Sequence, residues 1–123
     1  MYGCFSSAIF WTALGAQSPH YRAARFKLYA SSSMNTGRCT LIGGGKTSVD
    51  QAALFNSSLT RYVDLLDSYM SPGGLCHPSD NFGAVLAAAE HAGASGEVFM
   101  LALAVSYEIH NRTTWWPFMG NAK

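Results

Sequence analysis

Asp64, Asp67 and Ser68 fall within five consecutive residues, and His77 follows across the loop Ser71-Pro72-Gly73-Gly74-Leu75. Carboxylate, hydroxyl and imidazole together are the parts of an acid–base site. Such a group takes a proton from carbon or delivers one to a leaving hydroxyl. The loop is short and glycine-rich enough to fold His77 back over the acids. A solvated helix end with a surface loop fits the same residues, and pattern alone favours that plainer reading.

Other chemistry-bearing residues point less far. Gly43-Gly44-Gly45-Lys46-Thr47 invites comparison with the phosphate-wrapping loop G-x-x-x-x-G-K-[ST]. Thr40 stands where its first glycine belongs, and only Cys39–Ile42 precedes it as a short apolar, extended run. A flexible glycine turn is the better reading. His20, His77, His91 and His110 lack HxxxH or HExxH spacing, and Cys4, Cys39 and Cys76 lack CxxC spacing. No metal site and no disulfide framework follow. His91 and His110 fall near helix C-termini, where the helix dipole favours a cation.

The elements that must position these residues read as helices. Ala52, Phe55, Leu59, Tyr62, Leu66 and Tyr69 step by three and four, which predicts one helix over 51–69 with a single apolar stripe. Its other face carries Asn56, Ser57, Thr60, Asp64, Asp67 and Ser68. Asp64, Asp67 and Ser68 then cluster at the helix C-terminus, where two acids oppose the dipole. Pro78-Ser79-Asp80-Asn81 is a helix-start run, followed by a helix to about His91 with Phe82, Val85, Leu86 and Ala89 facing inward, ended by Gly93. Ser95 caps a last helix to about Arg112, apolar nearly all round from Val98 to Val105 and so expected to be buried. Helices are also expected over 5–14 and 19–30. The fold class predicted is all-α, a partial helical bundle.

Composition narrows the function classes. The 123 residues make one domain at most, with 49% hydrophobic and only 12% charged residues. An average domain is about 25% charged. Net charge is +1, so there is no basic face for nucleic acid. Residues 1–49 contain no Asp or Glu, and all seven acids fall in 50–123. A basic, Ser-rich start is compatible with an organellar transit peptide. The apolar runs 8–14 and 98–105 are too short to span a bilayer, so no membrane partner is expected. The first ten residues carry no Lys or Arg for a secretory n-region. The sequons at Asn56 and Asn111 are then chance matches. The expected location is cytoplasm or mitochondrial matrix, not secreted.

Residues 41–112 resemble the N-terminal domain of the MmgE/PrpD family, which includes 2-methylcitrate dehydratase and cis-aconitate decarboxylase. The text that carries the resemblance is LIGGGKTSVDQAALFNSSLTRYVDLLDSYM, then CHPSDNFGAVLAAAEHAGASGE, then the helix ending SYEIHNR. The most specific part is His77–Asn81 after the helix-end pattern Arg61–Ser68; ALGAQSP at 13–19 is a weaker match. The first ten residues and 113–123 do not carry it.

The resemblance implies a helical domain beside a smaller α/β lid, usually in a homodimer, with no cofactor. It implies lyase chemistry on a small di- or tricarboxylate. By motif, the active-site acid falls on Asp64, the hydroxyl on Ser68 and the loop histidine on His77. Asp67 and Ser79 fall beside them as substrate-contacting positions. Which group is base and which is acid stays open. Leu65 and Leu66 depart from the family's D-F-[DN]-D-T pattern. Family enzymes are several times longer and place further catalytic residues beyond this segment. The resemblance therefore implies a segment that is inactive alone, either part of a dehydratase or decarboxylase or a non-catalytic helical interaction fragment.

Overall fold

A computed structural model describes residues 17–20, 37–62 and 64–115. The helix expected over 5–14, and residues 21–30 of that expected over 19–30, lie outside them.

Strands β1 (Cys39–Thr40) and β2 (Lys46–Thr47) form an antiparallel ladder, Cys39 opposite Thr47 and Thr40 opposite Lys46. Gly43, Gly44 and Gly45 join them with φ of 97°, 117° and 102°, backbone that residues with a Cβ rarely adopt. The Gly44 N–H donates to the Leu41 carbonyl and the Leu41 N–H to that of Gly45, each at 2.9 Å. The glycine turn thus closes a hairpin. Lys46 is occupied there: its Nζ donates to the Arg38 carbonyl at 2.9 Å and to Thr40 Oγ1 at 3.2 Å, and lies 4.0 Å from Glu90.

Helix α1 (Val49–Arg61) follows. Ala52, Phe55 and Leu59 form its buried stripe, as their spacing predicts. A fully buried leucine such as Leu59 contributes about 2 kcal/mol over an exposed one. The helix does not continue to residue 69. Its end tightens, with the Tyr62 N–H donating to the Leu59 carbonyl and the Asp64 N–H to that of Arg61. Asp64 then enters the left-handed region at φ 54°, a conformation that Asp reaches more readily than most residues. Tyr62 is exposed, and Tyr69 belongs to the next strand. Burial also extends beyond that stripe to the polar face: Asn56 and Thr60 are fully buried. Asn56 Nδ2 donates to the Thr40 carbonyl at 2.8 Å, and its Oδ1 accepts the Ile42 N–H at 3.0 Å. That side chain docks the hairpin on α1.

Strands β3 (Tyr69–Ser71) and β4 (Gly74–Cys76) form a second antiparallel ladder, Tyr69 opposite Cys76. A one-turn 3₁₀ helix, Pro78–Asn81, leads into α2 (Phe82–Ala92). Gly93 ends α2 at φ 64°, with the Ala94 N–H reaching back to the Ala89 carbonyl at 2.9 Å. Ser95 Oγ accepts the Val98 N–H at 3.3 Å and caps α3 (Gly96–Trp115). The all-α expectation is therefore corrected. Among the described residues two ladders accompany helices α1, α2 and α3, and the segment is mixed α/β rather than a partial helical bundle.

One core cluster joins Cys39, Leu41, Ala52, Phe55, Leu59 and Ala87. A second joins Phe82, Leu103 and Tyr107, where the Phe82 and Phe99 rings meet edge to face at 6.2 Å. Gly83 brings α2 against the α1 backbone: a Cβ on it would lie 2.2 Å from the Ser57 nitrogen. Helix α3 is not buried all round. Leu103 and Tyr107 face inward, while Leu101 is 64% and Ile109 57% exposed. No helix of the described residues is long and apolar enough to cross a membrane.

Candidate functional site

The turn from Arg61 to Asn81 carries every residue singled out for chemistry. The loop does fold His77 back onto the acidic segment. His77 Nδ1 lies 2.8 Å from the backbone carbonyl oxygen of Asp67. A carbonyl oxygen only accepts, so Nδ1 carries the proton and, in the neutral ring, Nε2 carries the lone pair. The Asp67 carboxylate completes the link, its Oδ1 accepting the Ser79 N–H at 3.2 Å. Asp67 therefore grips the His77–Ser79 turn with both its backbone and its side chain.

The other expected members lie further out. Asp64 is 74% exposed and pairs with Arg61 at 3.5 Å. Ser68 is exposed. Neither hydrogen-bonds His77 among the described residues. Because the helix ends at Arg61, the acids do not share its C-terminal turn as their spacing predicts. Ser79 is 1% exposed, and its hydroxyl oxygen has no hydrogen-bond partner among the described residues.

The pattern did not single out Arg61 or Asp80. Arg61 reaches Asp64 with one amino group and Asp80 Oδ2 with the other, at 3.5 and 3.4 Å, so it ties the helix end to the 3₁₀ turn. Such exposed, long pairs contribute little to stability. Cys76 packs beside this turn. Burial pushes its thiol pKa up, a hydrogen bond with Thr114 lowers it, and the charges of Asp67 and Asp80 raise it further. Among the described residues, no three His, Cys, Asp or Glu side chains are placed to hold a metal ion.

A match to the MmgE/PrpD N-terminal domain runs over residues 4–117. The chain belongs to the MmgE/PrpD family. No solved structure matches it. In this MmgE/PrpD chain the turn gripped by Asp67 is His77–Asn81, the most specific stretch of the family resemblance. That family includes dehydratases.

The same turn ends in a second feature. Asn81 Nδ2 donates to His110 Nδ1 at 3.0 Å and to the Ser106 carbonyl at 3.5 Å, which pins the 3₁₀ turn to α3. Beside this pair lies an open cleft of about 400 Å³ lined by Asn81, Ala84, Val85, Ser106, Ile109, His110 and Thr113. Its sequence signal was weak. His110 near a helix C-terminus has an ordinary reading in the dipole, and nothing in the spacing pairs it with Asn81.

Proposed function

We propose that this chain carries the proton-transfer segment of a hydro-lyase that dehydrates a small tricarboxylate of the methylcitrate type. The observation that supports this most is the bond from His77 Nδ1 to the Asp67 carbonyl, because it leaves Nε2 as the basic nitrogen. In this reading Nε2 takes the proton from the carbon α to a carboxylate. The C–H electron pair becomes the new double bond, and the C–O bond breaks. The hydroxyl leaves as water with the proton that the His77 imidazolium then carries, and Asp64, a carboxylate paired with Arg61, is assigned to orienting the leaving hydroxyl as an acceptor. Ser68 hydrogen-bonds the substrate, Ser79 lines the turn, and Asp67 holds His77 in place. No cofactor is required.

Electrostatics bear on completeness. Asp64, Asp67 and Asp80 surround this turn, and Arg61 is the cation that bridges two of them. A tricarboxylate needs more positive charge than that. We therefore assign the remaining cations to residues outside this turn or to the partner of a homodimer, in the cytoplasm or mitochondrial matrix. The 123 residues alone are expected to show no turnover. The exposed apolar side of α3 also suits a non-catalytic helical interaction fragment.

The test uses protein translated from the complete transcript, given methylcitrate and cis-aconitate in turn. A conjugated alkene from methylcitrate, followed by its ultraviolet absorbance, supports the dehydratase. Carbon dioxide release from cis-aconitate assigns the decarboxylase instead. Neither product would refute the lyase reading and leave the interaction fragment.

A further inference from the structure

The cleft between α2 and α3 stands apart from the chemistry proposed for His77, and its lining specifies a ligand. Its volume of about 400 Å³ is within the range of small-molecule sites, roughly 300–1,000 Å³. Ala84, Val85 and Ile109 make its apolar surface, and Asn81, Ser106, His110 and Thr113 its polar one.

The hydrogen bonds fix what these polar groups still offer. His110 Nδ1 accepts from the Asn81 amide, so in a neutral ring the proton sits on Nε2, which is a donor. The Ser106 hydroxyl donates to the Leu103 carbonyl at 2.7 Å, and that of Thr113 to the His110 carbonyl at 2.8 Å. Their protons are used within the helix, so their oxygens are left as acceptors. Among the described residues the lining contains no Asp, Glu, Lys or Arg. An anion or a cation would find no fixed counter-charge there, whereas an uncharged ligand needs none.

We propose that this cleft is a binding site for an uncharged small molecule with a compact apolar body and a carbonyl-type acceptor next to a donor, as in a primary amide. The acceptor meets His110 Nε2–H, the donor meets the hydroxyl oxygens of Ser106 or Thr113, and the apolar body lies on Val85 and Ile109. This ligand class is the opposite of a tricarboxylate, so the site does not depend on the proposed lyase function.

The test is saturation-transfer NMR on the 123-residue chain at pH 8 with two probes, isobutyramide and isobutyrate, which share a body and differ in charge. Isobutyramide should give a saturable signal and isobutyrate none. Ala84 is exposed on α2, so Ala84→Phe fills the cleft without loading the core. It should weaken isobutyramide binding at least tenfold with helical circular dichroism unchanged. Thr113→Trp closes the cleft from the exposed side of α3 and should do the same. No saturable isobutyramide signal, or one that both variants leave intact, overturns the site. Equal or stronger binding of isobutyrate overturns the ligand class.

Discussion

The backbone carbonyl of Asp67 lies 2.8 Å from His77 Nδ1, ten residues further along the chain. One peptide group thereby sets the tautomer of the histidine that opens the His77–Asn81 stretch. The bond predicts a specific NMR result. Long-range nitrogen–proton spectra of the chain should show His77 protonated at Nδ1 and bare at Nε2. Asp67→Ala should loosen the turn by removing the acceptor for the Ser79 N–H, at a cost of about 1 kcal/mol in urea unfolding. Asp67→Asn keeps an oxygen there and should cost less.

Asn56 joins the first hairpin to α1 through the Thr40 carbonyl and the Ile42 N–H. Asn56→Leu preserves the volume but leaves both backbone groups unpaired. It should destabilise the chain by about 2–3 kcal/mol, from the penalty for unsatisfied groups. Leu54→Ala, at an exposed position of the same helix, should change stability by less than about 0.5 kcal/mol. Denaturant midpoints compare the two.

Gly83 has no room for a side chain, because a Cβ would meet the Ser57 nitrogen and Asn56 carbonyl carbon at 2.2 and 2.6 Å. Both are backbone atoms of α1 and cannot rotate away. Gly83→Ala should cost about 1–3 kcal/mol by forcing the helices apart, although alanine is the better helix former. A stabilised variant in thermal unfolding would show that α1 and α2 do not pack this closely.

Cys76 is buried, and its thiol pKa is raised first by that burial. A raised thiol pKa means less thiolate at any given pH, so native Cys76 should react with iodoacetamide more slowly than a free cysteine. Unfolding in urea should remove the difference. The stabilisation from the protonated thiol is fully present below the unfolded pKa of 9.0 and is lost as pH rises through the folded value. Mass spectrometry of alkylation against time, at neutral and alkaline pH, measures the rate.

The sequence made some of this legible and concealed the rest for physical reasons. The stripe Ala52, Phe55, Leu59 is readable because helical spacing and burial coincide. The end of that helix is not. Tyr62, Leu66 and Tyr69 continue the rhythm, while the stop is an aspartate at a left-handed φ where a glycine is the usual signal. Asn56 and Thr60 look like surface residues until the hairpin that covers them is known, since a buried amide depends on its partner. The two-residue strands β1 and β2 are too short to leave a period in the sequence. Helix α3 misleads in the other direction: apolar all round, it still leaves Val98, Leu101, Val105 and Ile109 exposed. Of the candidate site, composition and loop length suggested the meeting of His77 with the acidic segment. They did not show that the Asp67 backbone makes the contact, or that Asp64 pairs with Arg61 instead.

The role of His77 is tested by comparing wild type with His77→Gln in protein translated from the complete transcript, with methylcitrate as substrate. The kcat of His77→Gln is expected to fall by roughly 10²–10⁴, the usual contribution of a positioned acid–base group, while KM changes little. Unchanged kcat in a folded His77→Gln enzyme would contradict that role.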